Sequence, residues 1–79
     1  MTARVTLYTR ADCHLCDEAR AIVRAVCAEL GESFEEIDVD DAVGLPARYD
    51  DEVPVTLVDG KQHDFWRVDP QRLRAALLA

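Results

Sequence analysis

Alternating apolar and polar positions near the start of the chain give way to a helical repeat. Residues 4–8 alternate, with Val5 and Leu7 on one side, and are rich in the β-branched and aromatic residues of a half-buried strand. From Leu15 the apolar positions recur at steps of three and four, which predicts an amphipathic helix as far as residue 30. Gly31 then stands where a left-handed residue commonly ends a helix.

The middle of the chain is less regular. Residues 33–39 carry apolar side chains in an imperfect alternation, which indicates a second strand. An acidic stretch follows, and within it we predict a short helix over residues 45–49. Gly44 and Pro46 argue against a long helix, since glycine weakens helices and proline lacks the amide donor and clashes with the preceding turn.

A hairpin is predicted in the last third of the chain. Residues 55–58 are a continuous β-prone run, and Asp59 and Gly60 suit a two-residue turn whose central residues have positive φ. The strand that follows, residues 61–66, is polar or charged along most of its length. Such a composition is typical of an edge strand that must avoid pairing with another molecule.

A helix is predicted at the carboxyl end. Asp69 can cap it, Pro70 suits its first position, and Val68 can pack against Leu73. The resulting order, β-α-β-α-β-β-α without repeat or linker, predicts one α/β domain over residues 1–79. Its four-stranded sheet should be mixed, with helices on both faces, because a helical crossover makes the first two strands parallel and the hairpin is antiparallel.

Composition narrows the classes of function. Nine basic and sixteen acidic residues give a formal net charge of -7, which disfavours a nucleic-acid partner. The first residues lack the pattern of a signal peptide, and no apolar run approaches membrane-spanning length. Three cysteines are too few for the disulfide framework of a small secreted domain. We therefore expect a cytoplasmic monomer in which a close cysteine pair serves redox or metal chemistry.

That pair is Cys13 and Cys16, in the segment "YTRADCHLC" where the first strand gives way to the helix. Positions three apart share a helix face, so the two sulfurs can reach disulfide distance. The first turn presents unpaired amides and the positive end of the helix dipole, which lower the pKa of a Cys13 thiol. Cys13 is thus the predicted nucleophile, and the deeper Cys16 is the thiol that resolves a mixed disulfide.

The sequence allows other interpretations of its cysteine, histidine and aspartate side chains. A tetrahedral zinc site would need further ligands from Cys27, His14 or His63, and Cys27 on the apolar helix face is better explained as a core residue. His14 either helps to stabilise the Cys13 thiolate or is simply solvated. Asp12 would raise the pKa of its neighbour, although we favour its role as the helix cap.

The segments "VTLYTRADCHLC" and "VPV", the turn and the short last helix together resemble the glutaredoxin-like branch of the thioredoxin fold over nearly the whole chain. The resemblance implies that Pro54 is cis and lies beside the cysteines. It also implies that the backbone of Val53 pairs with a bound thiol peptide, and that Arg10 lies near the glycyl carboxylate of glutathione.

The sequence also departs from that family. Glutaredoxins usually have proline and an aromatic residue between the cysteines, where this chain has His14 and Leu15, and a double glycine before the last helix, where it reads "WRVDP". Asp69 is the stand-in for the group that meets the γ-glutamyl end of glutathione. The resemblance implies a thiol–disulfide oxidoreductase that needs no metal or organic cofactor. Its expected substrates are protein or small-thiol disulfides, and glutathione or mycothiol is its expected reductant. The main alternative is an iron–sulfur cluster or soft metal carrier.

Overall fold

The computed structural model describes residues 3–79 of the chain. It contains four strands and three helices in the predicted order. In chain order these are β1 (Val5–Thr9), α1 (His14–Leu30), β2 (Phe34–Asp38), α2 (Tyr49–Glu52), β3 (Val55–Val58), β4 (Lys61–Phe65) and α3 (Pro70–Leu78). No helix within residues 3–79 is long and apolar enough to cross a membrane.

The four strands form one mixed sheet in the order β2-β1-β3-β4. β1 runs parallel to β2, with Val5 opposite Phe34, and antiparallel to β3, with Val5 opposite Val58. β3 and β4 form the antiparallel hairpin, and a bulge between Thr56 and Leu57 shifts their register. The α/β fold class, the mixed sheet and the edge position of β4 are confirmed.

Helices cover both faces of the sheet. Val5 and Leu7 point from β1 into a core shared with α1 and α3, where Val23 and Leu73 are fully buried. On the opposite face, the rings of Tyr8 and Tyr49 lie 5.5 Å apart, so α2 packs against the other side of β1. Alternation along β1 therefore supplies both layers of the core, as a two-residue strand period requires.

Three of the predicted turn and cap signals, at Gly31, Asp59–Gly60 and Asp69, are present. Gly31 ends α1 with φ of 70°, and Asp59 and Gly60 both have positive φ in the hairpin turn. The side chain of Asp69 caps α3 by accepting hydrogen bonds from the amides of Gln71 and Arg72. These local signals fix where the long elements begin and end.

The short middle helix is not where the sequence pattern put it. We predicted residues 45–49, but α2 starts at Tyr49 and ends at Glu52. The carbonyls of Pro46 and Ala47 accept hydrogen bonds from the amides of Tyr49 and Asp50, so residues 46–50 form tight turns that lead into the helix. The residue before α2 is Arg48, whose side chain makes no capping hydrogen bond, so no local signal marks where this helix begins.

Candidate functional site: a cysteine pair at a helix start

Cys13 is the cap of the first long helix. Its backbone is extended, with φ of -118°, and its sulfur accepts a hydrogen bond of 3.1 Å from the amide of Cys16. Its carbonyl accepts another from the amide of Asp17. The prediction that Asp12 caps α1 is therefore wrong: Asp12 lies one residue before the cap with φ of 58°, and the Cys13 sulfur takes the place that a serine or aspartate oxygen usually has.

Cys13 and Cys16 are joined in a disulfide, with their α-carbons 5.1 Å apart. The two sulfurs differ in access, because Cys16 is completely buried while Cys13 is partly exposed. A reagent from solvent can therefore reach only the Cys13 side of the pair. This asymmetry matches the predicted difference between an attacking and a resolving thiol.

The two residues between the cysteines face different surroundings. His14, the first residue of α1, is exposed and forms no hydrogen bond or ion pair with any of residues 3–79. Leu15 is half-buried and borders a small apolar cavity beside Trp66. The side chain of His14 is thus exposed to solvent, whereas that of Leu15 packs against the protein.

Arg10, between β1 and the cysteines, is held by two carboxylates. Its guanidinium lies 3.0 Å from the carboxylate of Asp50 and 3.4 Å from that of Asp40, and it also donates to the carbonyl of Asp50. Hydrogen bonding to Asp40 raises the pKa of Arg10, against the opposing effect of desolvation. A carboxylate ligand would have to exchange with these partners, which form exposed and therefore individually weak ion pairs.

A polar cavity of about 370 Å³ lies beside Arg10 at the carboxyl ends of β1 and β2. Glu36 lies in its wall, where it accepts hydrogen bonds of 2.6 Å from Arg20 and 2.9 Å from the buried hydroxyl of Thr9. Hydrogen bonding to Arg20 lowers the pKa of Glu36 more than burial raises it. The cavity is within the size range of about 300–1,000 Å³ that is typical of small-molecule sites.

The peptide bond between Val53 and Pro54 is cis, as the resemblance implied. Pro54 is buried, and its carbonyl accepts a hydrogen bond of 2.9 Å from the amide of Trp66. Val53 lies before β3, outside the β1–β3 register that starts with Tyr8 opposite Val55. Its backbone is therefore not part of the ladder that joins these two strands.

The side chains of Asp69 and Cys27 both contribute to the fold. The carboxylate of Asp69 is used to cap α3, as described above. Cys27 is a free cysteine, 2% exposed in the core, and burial raises its pKa. Within residues 3–79, three or more histidine, cysteine, aspartate or glutamate side chains do not come together in any group able to share a metal ion.

Two features of the site were missed by sequence reasoning. Arg10 has carboxylate partners 30 and 40 residues away, and only the acidic bias of the middle segment hinted at them. Trp66 has φ of 63°, which is rare for a large side chain, and it is 51% exposed. No local pattern in the sequence marks this tryptophan for a left-handed backbone.

Fold and site together define a thioredoxin-like protein with a disulfide at the start of its first helix. The family model of the Glutaredoxin-like domain (DUF836) matches residues 4–78, and the chain belongs to this family. An uncharacterized protein of Mycobacterium tuberculosis is 42% identical over 77 residues, which cover 91% of this chain and 79% of the relative.

Solved structures support the same fold. The X-ray structure of target protein XcR50 from X. campestris is 37% identical and superimposes with a TM-score of 0.72, covering 92% of this chain and 93% of the other. Fasciola hepatica thioredoxin is 24% identical with a TM-score of 0.60, covering 94% and 76%. At this identity the second likeness concerns the fold alone.

Proposed function

We propose that the protein is a dithiol thiol–disulfide oxidoreductase in which Cys13 attacks and Cys16 resolves. The observation that carries this proposal is the hydrogen bond from the Cys16 amide to the Cys13 sulfur at the first turn of α1. In the reduced protein the same amide and the positive end of the helix dipole stabilise negative charge on that sulfur. The unequal exposure of the two sulfurs supports the division of roles.

The reaction has two displacement steps. The Cys13 thiolate attacks one sulfur of a substrate disulfide, forms a mixed disulfide with it and releases the other substrate sulfur as a thiolate. The proton of Cys16 then passes to the released substrate thiolate, and the Cys16 thiolate attacks the Cys13 sulfur. The internal disulfide forms and the second substrate thiolate leaves, so two electrons pass from the dithiol to the substrate.

The return of the protein to the dithiol needs a reductant, for which we propose glutathione or mycothiol. Two molecules of the thiol donate two electrons and leave as their own disulfide. Arg10 and the cavity beside it are the proposed site for the charged end of such a thiol. The backbone of Val53, which lies outside the β1–β3 ladder, completes the proposed set of binding residues together with Asp69 and His14.

Redox equilibration tests the function and the reductant together. Oxidised protein is incubated with graded ratios of glutathione to its disulfide, or of mycothiol to its disulfide, and free thiols are counted by alkylation and mass. We expect a reversible two-electron transition that involves Cys13 and Cys16 and leaves Cys27 unchanged. A disulfide that neither buffer opens would contradict the proposal.

A single variant separates the dithiol route from the monothiol route. Cys16→Ser leaves Cys13 able to form a mixed disulfide but removes the resolving thiolate. We expect the variant to stop at a stable mixed disulfide with a protein substrate, visible as an added mass. Full reduction of that substrate at the wild-type rate would show that an external thiol resolves the intermediate instead.

A further inference from the structure

A small apolar cavity lies along the side of α1 that carries Leu15, and the steps above do not use it. It borders Leu15, which stands between the two cysteines, and it extends along α1 to the segment that joins β4 to α3. We call it the Trp66 pocket, and it is lined by Leu15, Glu18, Ala19, Ile22, Trp66, Arg67 and Val68. Most of these side chains are apolar, so the pocket suits an apolar group.

Trp66 is fixed in place by three hydrogen bonds. Its amide donates to the carbonyls of Pro54 and Glu52, at 2.9 and 3.2 Å, and its indole Nε1 donates to the carbonyl of Asp51 at 2.8 Å. These bonds hold a tryptophan at φ of 63°, where a bulky residue is strained. Such strain persists only where surrounding contacts impose it, and it is enriched at ligand-binding sites.

The size of the pocket limits what it can hold. Its volume is about 120 Å³. This is well below the roughly 300–1,000 Å³ of sites that enclose a small molecule, and about four times the roughly 30 Å³ that one water occupies in the liquid. The pocket therefore has room for one aliphatic side chain of a longer ligand, and it is too small to enclose a whole tripeptide thiol.

The charge of the residues that adjoin Cys13 and Trp66 is unbalanced, although the pocket lining itself is not. Asp12, next to Cys13, and Asp51, whose carbonyl holds the indole, are exposed and have no ion-pair partner among residues 3–79. The basic Arg67 at the pocket is 3.5 Å from Glu18, which offsets its charge. A ligand that reaches from Cys13 across Trp66 thus meets two uncompensated carboxylates, and a basic side chain on it would be attracted.

We propose that the Trp66 pocket and its two carboxylates select the protein substrate. The preferred partner is an extended peptide segment whose disulfide cysteine is accompanied by one aliphatic residue, which fills the pocket, and one lysine or arginine, which faces Asp12 and Asp51. This inference rests on the proposed function and specifies its substrate class. Trp66 and Leu15 are then specificity residues, and the acidic carboxylates serve mainly to speed encounter.

Four synthetic peptide disulfides test the proposal. Each is a symmetric dimer of a short peptide with one cysteine, and the four differ only in Leu or Gly at one neighbouring position and Lys or Glu at the other. Reduced protein is mixed with each peptide and quenched with iodoacetamide, and the loss of alkylated Cys13 and Cys16 is followed by mass. Each oxidation yields two peptide thiols, so the measurement needs no added reductant.

For the wild-type protein we expect leucine peptides to react about tenfold faster than glycine peptides, in the range that one apolar side chain in a pocket provides. Lysine peptides should exceed glutamate peptides at low salt, and this second ratio should approach one at about 1 M salt, where charges are screened beyond roughly 3 Å. Equal rates for all four peptides would overturn the proposal without any variant.

Matched variants assign the two preferences to residues. Trp66→Gly suits the positive φ and removes the indole, so the leucine preference should fall to about twofold or less, while Val43→Ala, at a position 95% exposed, should keep it. Asp51→Asn should reduce the lysine preference, whereas Glu35→Gln, which removes the same charge from β2, should not. An undiminished leucine preference in Trp66→Gly would overturn the pocket assignment.

A neutral compound, bis(2-hydroxyethyl) disulfide, distinguishes failure of the substrate preference from failure of the proposed oxidoreductase function. Oxidation of wild-type Cys13 and Cys16 by this compound, together with equal rates for all peptides, would leave the oxidoreductase intact and remove the substrate preference. If neither this compound nor any of the peptides oxidises Cys13 and Cys16, the proposed function is contradicted, and the substrate preference with it.

Discussion

At the scale of single residues, a sulfur atom occupies the position where helices usually have a capping oxygen. The Cys13 sulfur accepts a hydrogen bond from the Cys16 amide, so the proposed nucleophile is held by the backbone of the residue with which it forms a disulfide. A capping aspartate would place a fixed negative charge at the same point. The displacement of Asp12 to a left-handed position before the cap leaves the helix start free for the thiolate.

The third cysteine has a different role, because it is 2% exposed among core residues. We predict that Cys27→Ser destabilises the fold by about 1–3 kcal/mol, the usual cost of burying a hydroxyl without a partner. Urea unfolding monitored by circular dichroism measures the loss, with Cys27→Ala as the control that adds no polar atom. Unchanged stability in the serine variant would show that this position is hydrated.

Arg10 provides a residue-scale test of small-thiol binding. If it holds a carboxylate of glutathione, Arg10→Gln should raise the KM for glutathione by about two- to fivefold, because exposed ion pairs are weak and Arg10 already has Asp40 and Asp50 as partners. Arg24→Gln removes the same charge from an exposed position on α1 and serves as the control. A KM that changes equally in both variants would indicate a general charge effect.

At the scale of elements, an ion pair ties α1 to β2 beneath the cavity beside Arg10. Arg20 on the helix binds Glu36 on the strand with two hydrogen bonds of 2.6 Å, and the Thr9 hydroxyl of β1 joins them. The pKa of Glu36 is lowered mainly by Arg20. The parallel pair of strands and the crossover helix are thus connected at the end of the sheet where the site lies.

The Arg20–Glu36 ion pair should make part of the free energy of unfolding depend on pH. A carboxyl whose pKa is lower in the folded than in the unfolded protein contributes stability above its unfolded pKa of about 4.3, and that contribution is lost as the pH falls through the folded value. Wild-type protein should therefore lose more stability than Glu36→Gln between pH 7 and pH 3, as measured by urea midpoints. Glu35→Gln, at the neighbouring exposed position, should behave as wild type.

At the scale of the whole molecule, the order of elements and the mixed sheet followed from pattern and turn chemistry alone. Alternation in β1, the helical repeat of α1 and the Asp59–Gly60 turn each have a short-range physical cause that is visible in the sequence. The start of α2 was misplaced, because whether residues 46–50 form turns or a helix depends on long-range packing of Tyr49 against Tyr8.

The site was only partly predictable for the same reason. The cysteine spacing and the start of α1 are local features, so the pairing of Cys13 with Cys16 could be predicted from the sequence. Partners of Arg10 and the strained backbone of Trp66 come from distant segments that only the folded sheet brings together. The proposed substrate selection therefore depends on long-range contacts that sequence periodicity does not reveal.

The central claim is that the start of α1 makes the Cys13 sulfur anionic in the reduced protein, and the pH dependence of alkylation tests it most directly. Reduced protein is treated with iodoacetamide across pH 4–10, and the rate at each cysteine is read by peptide mass. The account predicts that Cys13 reacts first and reaches half its maximal rate well below the value of about 8.5 for a free thiol. A midpoint at or above that value, or equal labelling of Cys13 and Cys16, would contradict it.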